Sequence, residues 1–222
     1  MSRTGTPPAA GVFVTGTDTG IGKTLVSACL VRAWEAVYWK PVQTGLAEEP
    51  GDTATVAALA GVPPERLLAP RHALRAPLSP QAAAALEGIA IALDDFAPPS
   101  PPAPGRRPLV VEGAGGVLVP LSDRAMMIDL IAHLALPVVV VARSGLGTIN
   151  HTLLTLAALR QRRLAVAGVI LSGAPNPGNR AALEQFGRVP VLAELPWLPR
   201  IDAAAVTRLA TERIPALLSL SS

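Results

Sequence analysis

The segment Gly16-Thr-Asp-Thr-Gly-Ile-Gly22-Lys23-Thr24 limits the possible folds of this chain more than any other. A short β-branched run, Gly11–Thr15, precedes it, and an apolar helical pattern over Lys23–Ala36 follows. A glycine-rich turn between a strand and a helix lines up backbone N–H groups as a concave anion cradle, and the helix start adds partial positive charge. Lys23 is placed to lie along the bridging and terminal phosphates of a nucleotide, and Thr24 to put its hydroxyl on Mg2+. Five residues rather than four separate Gly16 from Gly22, so the loop is a variant of the usual pattern. Nucleotide phosphate binding is the expectation; the loop alone does not say which chemistry uses it.

The remaining apolar segments alternate in kind. Val37–Lys40, Leu109–Glu112, Pro137–Ala142, Val166–Leu171 and Val189–Leu192 have strand length and no period-two alternation. Helical patterns lie among them at Asp52–Ala60, Pro80–Leu86, Ala125–Leu134, Ile149–Arg162, Asn179–Phe186 and near Ala203–Leu209. Continuous apolar strands separated by helices predict a parallel sheet covered on both faces, in an open, doubly wound α/β fold. The Lys23–Ala36 pattern is apolar on nearly every face and should pack on both sides. The proline-rich stretch Pro98–Pro108 sits between elements of one sheet and reads as a stiff surface loop, not a linker. One domain over residues 1–222 is expected, with residues 1–10 a flexible tail.

Composition removes several classes. Half of the 222 residues are hydrophobic and 3% aromatic, so alanine, valine and leucine build the core. No apolar run approaches the ~18–20 residues that span a bilayer; the longest, Leu134–Ala142, is broken by Pro137. A single cysteine, Cys29, allows no internal disulfide and reads as an inert buried thiol in a reducing cytoplasm. Three histidines without a close pair argue against zinc. A net charge of +3 with scattered basic residues does not form a nucleic-acid stripe.

Ligands of open parallel sheets collect outside the carboxyl ends of the strands. Those ends here read TGTDTGIGKT, KPVQTG, EGAGG, ARSGLGTINH and LSGAPNPG, all rich in glycine and hydrogen-bonding groups. Lys40 closes the second strand; it is either solvated there or meets an anion lying between it and Lys23, where two ammonium groups would offset the charge of a transferring phosphoryl. Glu112, at the end of LVVE, stands where proteins with this loop carry an acidic residue near the metal, or else faces solvent. Asp52 either caps the next helix or completes an oxygen trio with Thr24 and Glu112 for Mg2+. Asp18 reads as an acceptor that fixes the loop.

Together, TGTDTGIGKT, KPVQTG with a downstream GDT, VEGAGG, LGTINH and ELPWL resemble the dethiobiotin synthetases of biotin biosynthesis, in order from Gly11 to Leu198. The resemblance implies MgATP-dependent carboxylation of 7,8-diaminononanoate with CO2 (or bicarbonate as its source) and closure of a cyclic urea. It also implies a homodimer with the substrate site at the interface. It places Thr19, Gly20, Ile21, Gly22, Lys23, Thr24 and Leu25 on the phosphates, with Gly113, Ala114 and Gly115 beside them. Thr24, Asp52 and Glu112 fall on Mg2+, and Lys40, the catalytic partner of Lys23, beside a carbamate. Thr44 falls on the diamine, and Ser172, Gly173, Pro196, Trp197 and Leu198 near the base and ribose. Thr148, Ile149 and Asn150 resemble the helix start that receives the substrate carboxylate, where plain helix capping is the alternative.

Two departures from the family pattern stand out. Ser172-Gly173 replaces an Asn-Asp pair, so one hydroxyl stands in for an amide and base selectivity is expected to relax. The connection from Trp34 to Lys40 is short, which leaves the end of the second strand open. The rival reading is a switch or partitioning ATPase built on the same loop, but such proteins carry a second lysine where Thr15–Thr19 has none. A glutamine-dependent amide ligase shares EGAGG but needs a nucleophilic cysteine in a further domain, and Cys29 lies inside the first helix.

Overall fold

The β-branched runs pair side by side, and each is followed by a helix that covers the sheet. The computed structural model describes residues 11–97 and 107–216. The tail expected at residues 1–10 and residues 98–106 of the proline-rich connection lie outside them. Strand β1 (Gly11–Gly16) leads through the glycine loop into helix α1 (Lys23–Ala33), and β2 (Val37–Trp39) follows after three residues. Next come the short β3 (Val42–Gln43), α2 (Asp52–Ala60), β4 (Leu67–Leu68), β5 (His72–Ala73) and α3 (Pro80–Leu86). The second half runs β6 (Leu109–Gly116), α4 (Met127–Leu134), β7 (Val138–Arg143) and α5 (Thr148–Gln161). It ends with β8 (Val166–Ser172), α6 (Pro177–Gly187), β9 (Val191–Leu195) and α7 (Ala203–Arg213).

Seven strands form one sheet in the order β4-β2-β6-β1-β7-β8-β9, and each adjacent pair is parallel. Alternate residues of each strand feed opposite layers. Val12, Val14, Tyr38, Val110, Val139 and Val141 pack with residues of α1, α2 and α7. Phe13, Trp39, Val111, Val138 and Val140 pack with residues of α3, α4 and α5. The expected cover on both faces is present, and on one of them α1 packs on the sheet and against both α2 and α7.

Several boundaries differ from the sequence expectation, each for a local reason. Helix α1 stops at Ala33, not Ala36, because Glu35 turns into the left-handed region at φ 50 so that Val37 can reach the sheet. The last strand begins at Val191 and not at Val189, and α6 starts two residues early, on Pro177 behind an Asn176 cap. Strand β2 ends at Trp39, which places Lys40 just beyond it. Pro41 then takes the chain out of the main sheet: its carbonyl accepts from the N–H groups of Arg71 and His72, and β3 and β5 form a two-stranded parallel pair of their own. That pair was not legible in the apolar pattern.

Candidate active site

Alternation along β2 and β6 decides which way the functional side chains point. Tyr38 and Lys40 lie two residues apart and so share the face that α1 covers, as do Val110 and Glu112 on β6. Tyr38 is level with Val110 and Trp39 with Val111, so the next step brings Lys40 alongside Glu112. The Lys40 ammonium lies 3.1 Å from Glu112 Oε1 and donates to the Gly113 carbonyl at 3.0 Å. From α2, Asp52 presents Oδ2 to the same ammonium at 2.7 Å. The Thr24 hydroxyl sits among them, 2.8 Å from Asp52 Oδ1 and 3.1 Å from Glu112 Oε1.

The bland alternatives for Lys40, Glu112 and Asp52 do not hold. Glu112 is 1% exposed and Lys40 4% exposed, so neither is a solvated strand end. Asp52 does not cap its helix: Gly51 occupies that position, Asp52 is the first helical residue, and its own N–H donates to Gln43 Oε1 at 2.8 Å. Its side chain is free for Thr24 and Lys40.

The charges tune one another. Burial would lower the pKa of Lys40, but the carboxylates of Glu112 and Asp52 outweigh it and hold the ammonium charged above its ordinary range. Burial would raise that of Asp52, but Lys40 prevails and holds its carboxyl below the usual value. For Lys23, burial comes first and the Lys40 charge second, and together they bring it down to about 8. Burial also pushes the Cys29 thiol up to about 12, as expected for an inert thiol.

The loop holds Lys23 from below, its ammonium donating to the Asp18 carbonyl at 2.7 Å. The Asp18 carboxylate accepts from the Thr19 N–H at 2.7 Å and from Arg143 at 2.8 Å, the loop-fixing role expected of it. Gly22, at φ 95, starts α1 without any capping side chain and with no acidic residue in the first turn. Ser79, Asn176 and Asp202 do cap α3, α6 and α7. The first N–H groups of α1 therefore face outward without a side-chain acceptor.

A cleft of about 790 Å³ gathers much of the expected set: Thr19, Gly20, Gly22, Lys23, Thr24, Lys40, Thr44, Asp52, Glu112, Ala114 and Gly115. Ile21 is buried and half-buried Leu25 packs against the core behind the loop, while Gly113 reaches the site through its carbonyl. Ser172 ends β8 and Gly173 follows it, while Pro196–Leu198 follow β9; all lie outside the cleft lining. The Ser172 hydroxyl abuts Gly22. Thr148–Asn150 open α5 behind Gly147, also uncapped, and lie apart from the cleft.

Sequence reasoning passed over three participants. Gln43 bridges the Thr44 carbonyl and the Asp52 N–H, Arg143 braces the loop, and the Tyr38 hydroxyl donates to Glu112 Oε2 at 3.0 Å. Only Tyr38 carried a signal, the two-residue spacing from Lys40.

A family described as AAA domain matches residues 10–205. The chain is 63% identical over 212 residues to the biotin biosynthesis bifunctional protein BioCD of Bordetella avium (strain 197N), covering 96% of this chain and 44% of that protein. It thus spans less than half of that bifunctional relative. It is 54% identical over 199 residues to the ATP-dependent dethiobiotin synthetase BioD of Paramagnetospirillum magneticum (strain ATCC 700264 / AMB-1), covering 90% of this chain and 94% of that protein. Among solved structures, a ParA family ATPase from Chlorobium tepidum TLS matches over 95% of each chain with a TM-score of 0.51 at 11% identity, a likeness of fold alone. At 54% identity over nearly the full length of a single-function relative, the chain belongs to the family of ATP-dependent dethiobiotin synthetases.

Proposed function

We propose that this protein closes a cyclic urea on 7,8-diaminononanoate with CO2 and ATP, giving dethiobiotin, ADP and phosphate. The observation that carries the reading is the convergence of Lys40, Asp52, Glu112 and Thr24 beside the phosphate loop. One amine nitrogen adds to the carbon of CO2 and loses a proton, leaving a carbamate. A carbamate oxygen then attacks the γ-phosphorus while the bond to the departing ADP oxygen breaks. The second amine attacks the carbonyl carbon of the resulting carbamic–phosphoric anhydride, phosphate leaves with the C–O bond, and the ring closes with loss of a proton.

The donor set fits Mg2+. One hydroxyl and two carboxylates offer hard oxygens at one spot, and few protein ligands are what this ion takes when phosphates and water supply the rest. Thr24, Asp52 and Glu112 would hold it, and bound there it would neutralise charge on the phosphate oxygens. The chain's own groups do the remainder. Lys23 leaves the Asp18 carbonyl for the phosphate tail, and the uncapped start of α1 faces the same anion. Lys40 exchanges a carboxylate for the carbamate, so the two reacting anions are held together in spite of their repulsion. Thr44, on the cleft wall, contacts the diamine. Ser172-Gly173 and Pro196–Leu198 are assigned to the base and ribose, an assignment supported by the Ser172 hydroxyl adjoining Gly22 of the loop.

A homodimer is part of this reading. Leu118 and Leu154, exposed at 60% and 62%, line a hollow with the loop residues 16–19, and the fully exposed Leu146 stands just before α5. Contact there would bring the uncapped helix start at Thr148–Asn150 to a partner's cleft, where it suits a carboxylate. The described segments share one main sheet, which supports a single domain. The ATP requirement and the lone buried cysteine support a cytoplasmic setting.

Phosphate release is the test. It should require diaminononanoate and bicarbonate together, with dethiobiotin appearing in equal amount. Release independent of the diamine would replace this reading with a plain ATPase.

A further inference from the structure

Tyr38 is the one tyrosine of the chain, and its side chain is fully buried in β2. Its hydroxyl donates to Glu112 Oε2 at 3.0 Å. The other carboxylate oxygen, Oε1, faces the Thr24 hydroxyl and the Lys40 ammonium, each at 3.1 Å. Tyr38 itself is absent from the lining of the cleft. The last torsion of a glutamate side chain is broad, so nothing in the side chain itself fixes the plane of its carboxylate. A donor on Oε2 does fix it, and leaves Oε1 turned to the hydroxyl and the lysine.

We propose that Tyr38 is a positioning residue: it grips Glu112 by the rear oxygen so that the front oxygen is held ready for the cation of the bound nucleotide. The inference rests on the reading of Glu112 as a ligand of Mg2+. Partners behind a ligating carboxylate typically contribute about 10–100-fold in metal affinity. Phenylalanine at this position keeps the ring packing and removes only the donor, leaving Oε2 buried without a partner and the carboxylate free to turn.

The test is a calorimetric titration of Mg2+ into protein saturated with ADP. Tyr38→Phe should bind Mg2+ about 10–100-fold more weakly than the wild type, with ADP affinity in the absence of Mg2+ unchanged. A residue that only fills space would lower the melting temperature and leave the Mg2+ affinity alone; that result overturns the inference. Should the variant fail to fold, the single tyrosine provides a second measurement. Protein labelled with 3-fluorotyrosine has one 19F resonance, which should move when Mg2+ joins ADP and stay put with ADP alone. An unmoved resonance overturns the proposal as well. If the wild type itself takes up no Mg2+ with ADP, the reading of Glu112 falls and the inference with it, whereas equal binding by wild type and variant removes the inference alone.

Discussion

The Lys40 ammonium, from the end of β2, meets Asp52 Oδ2, from the start of α2, at 2.7 Å. The lysine read as the partner of an incoming anion is thus already held by Asp52 and Glu112, in a pocket where it is 4% exposed. An ammonium so placed serves two states. Without ligand it balances two carboxylates; on the proposed reading, a divalent cation held by those carboxylates would leave it available to substrate.

Lys40→Ala therefore has two effects of different origin. Turnover should fall by about 10²–10³-fold or more, since the charge proposed to face the carbamate is gone. The ligand-free protein should also lose stability, toward the low end of the ~3–5 kcal/mol seen when one partner of a buried pair is removed, because Asp52 is 29% exposed. Melting curves with and without MgADP check this. The deficit should shrink when the nucleotide complex is present, and an equal deficit in both would refute the exchange.

Asp52 gives the acid limb of stability. Its carboxyl titrates lower in the folded protein than in the unfolded chain. The stabilisation is complete above the ordinary carboxylate range and drains away as pH falls through the folded value. Asp52→Asn should flatten this part of the stability profile. Urea midpoints between about pH 6 and 3 measure it. A variant profile parallel to the wild type would show that Asp52 carries no part of the acid limb.

Lys23 predicts a proton coupled to nucleotide binding. At about 8, the lysine of the free site is partly neutral near that pH, and the phosphate tail restores its charge. Binding should take up protons at pH 8, none near pH 6.5, and weaken as pH rises further. Titration calorimetry in buffers of different ionisation enthalpy reads the uptake directly. The stability of the free protein runs the other way. The unfolded lysine keeps its proton up to about 10.5, so this group's contribution improves between those two values.

Much of this arrangement was legible because it follows from repeating geometry. Apolar runs without alternation gave away the buried parallel strands, and the loop before α1 gave away the anion cradle. Asp52, Glu112 and Lys40 were readable as strand-end or helix-start polar groups on the ligand side of the sheet. Their mutual pairing was not readable, because it depends on the register between β2 and β6 and on how far Pro41 swings the chain before α2. Gln43 illustrates the limit. Its amide joins Thr44 to the start of α2 across a loop, and no periodicity marks a contact of that kind. Arg143 is hidden for the same reason, since it reaches Asp18 across 125 residues.

Gly22 tests how tightly the loop is built. It sits at φ 95, ψ 20, starts α1, and accepts the first helical bond from the Val26 N–H at 3.0 Å. A methyl group there would lie 2.9 Å from the Ser172 hydroxyl oxygen and 3.5 Å from its Cβ. Gly22→Ala thus meets backbone strain of about 1–2 kcal/mol and, separately, a clash with one side-chain atom. Ser172→Ala removes that atom and leaves ordinary contact with Cβ, so the double variant should regain part of the lost stability and ADP affinity, and the remainder measures the backbone. The single Ser172→Ala change should stay close to wild type in melting temperature. A double variant no better than Gly22→Ala alone would mean that strain at the loop accounts for the whole loss and that the hydroxyl yields without resistance.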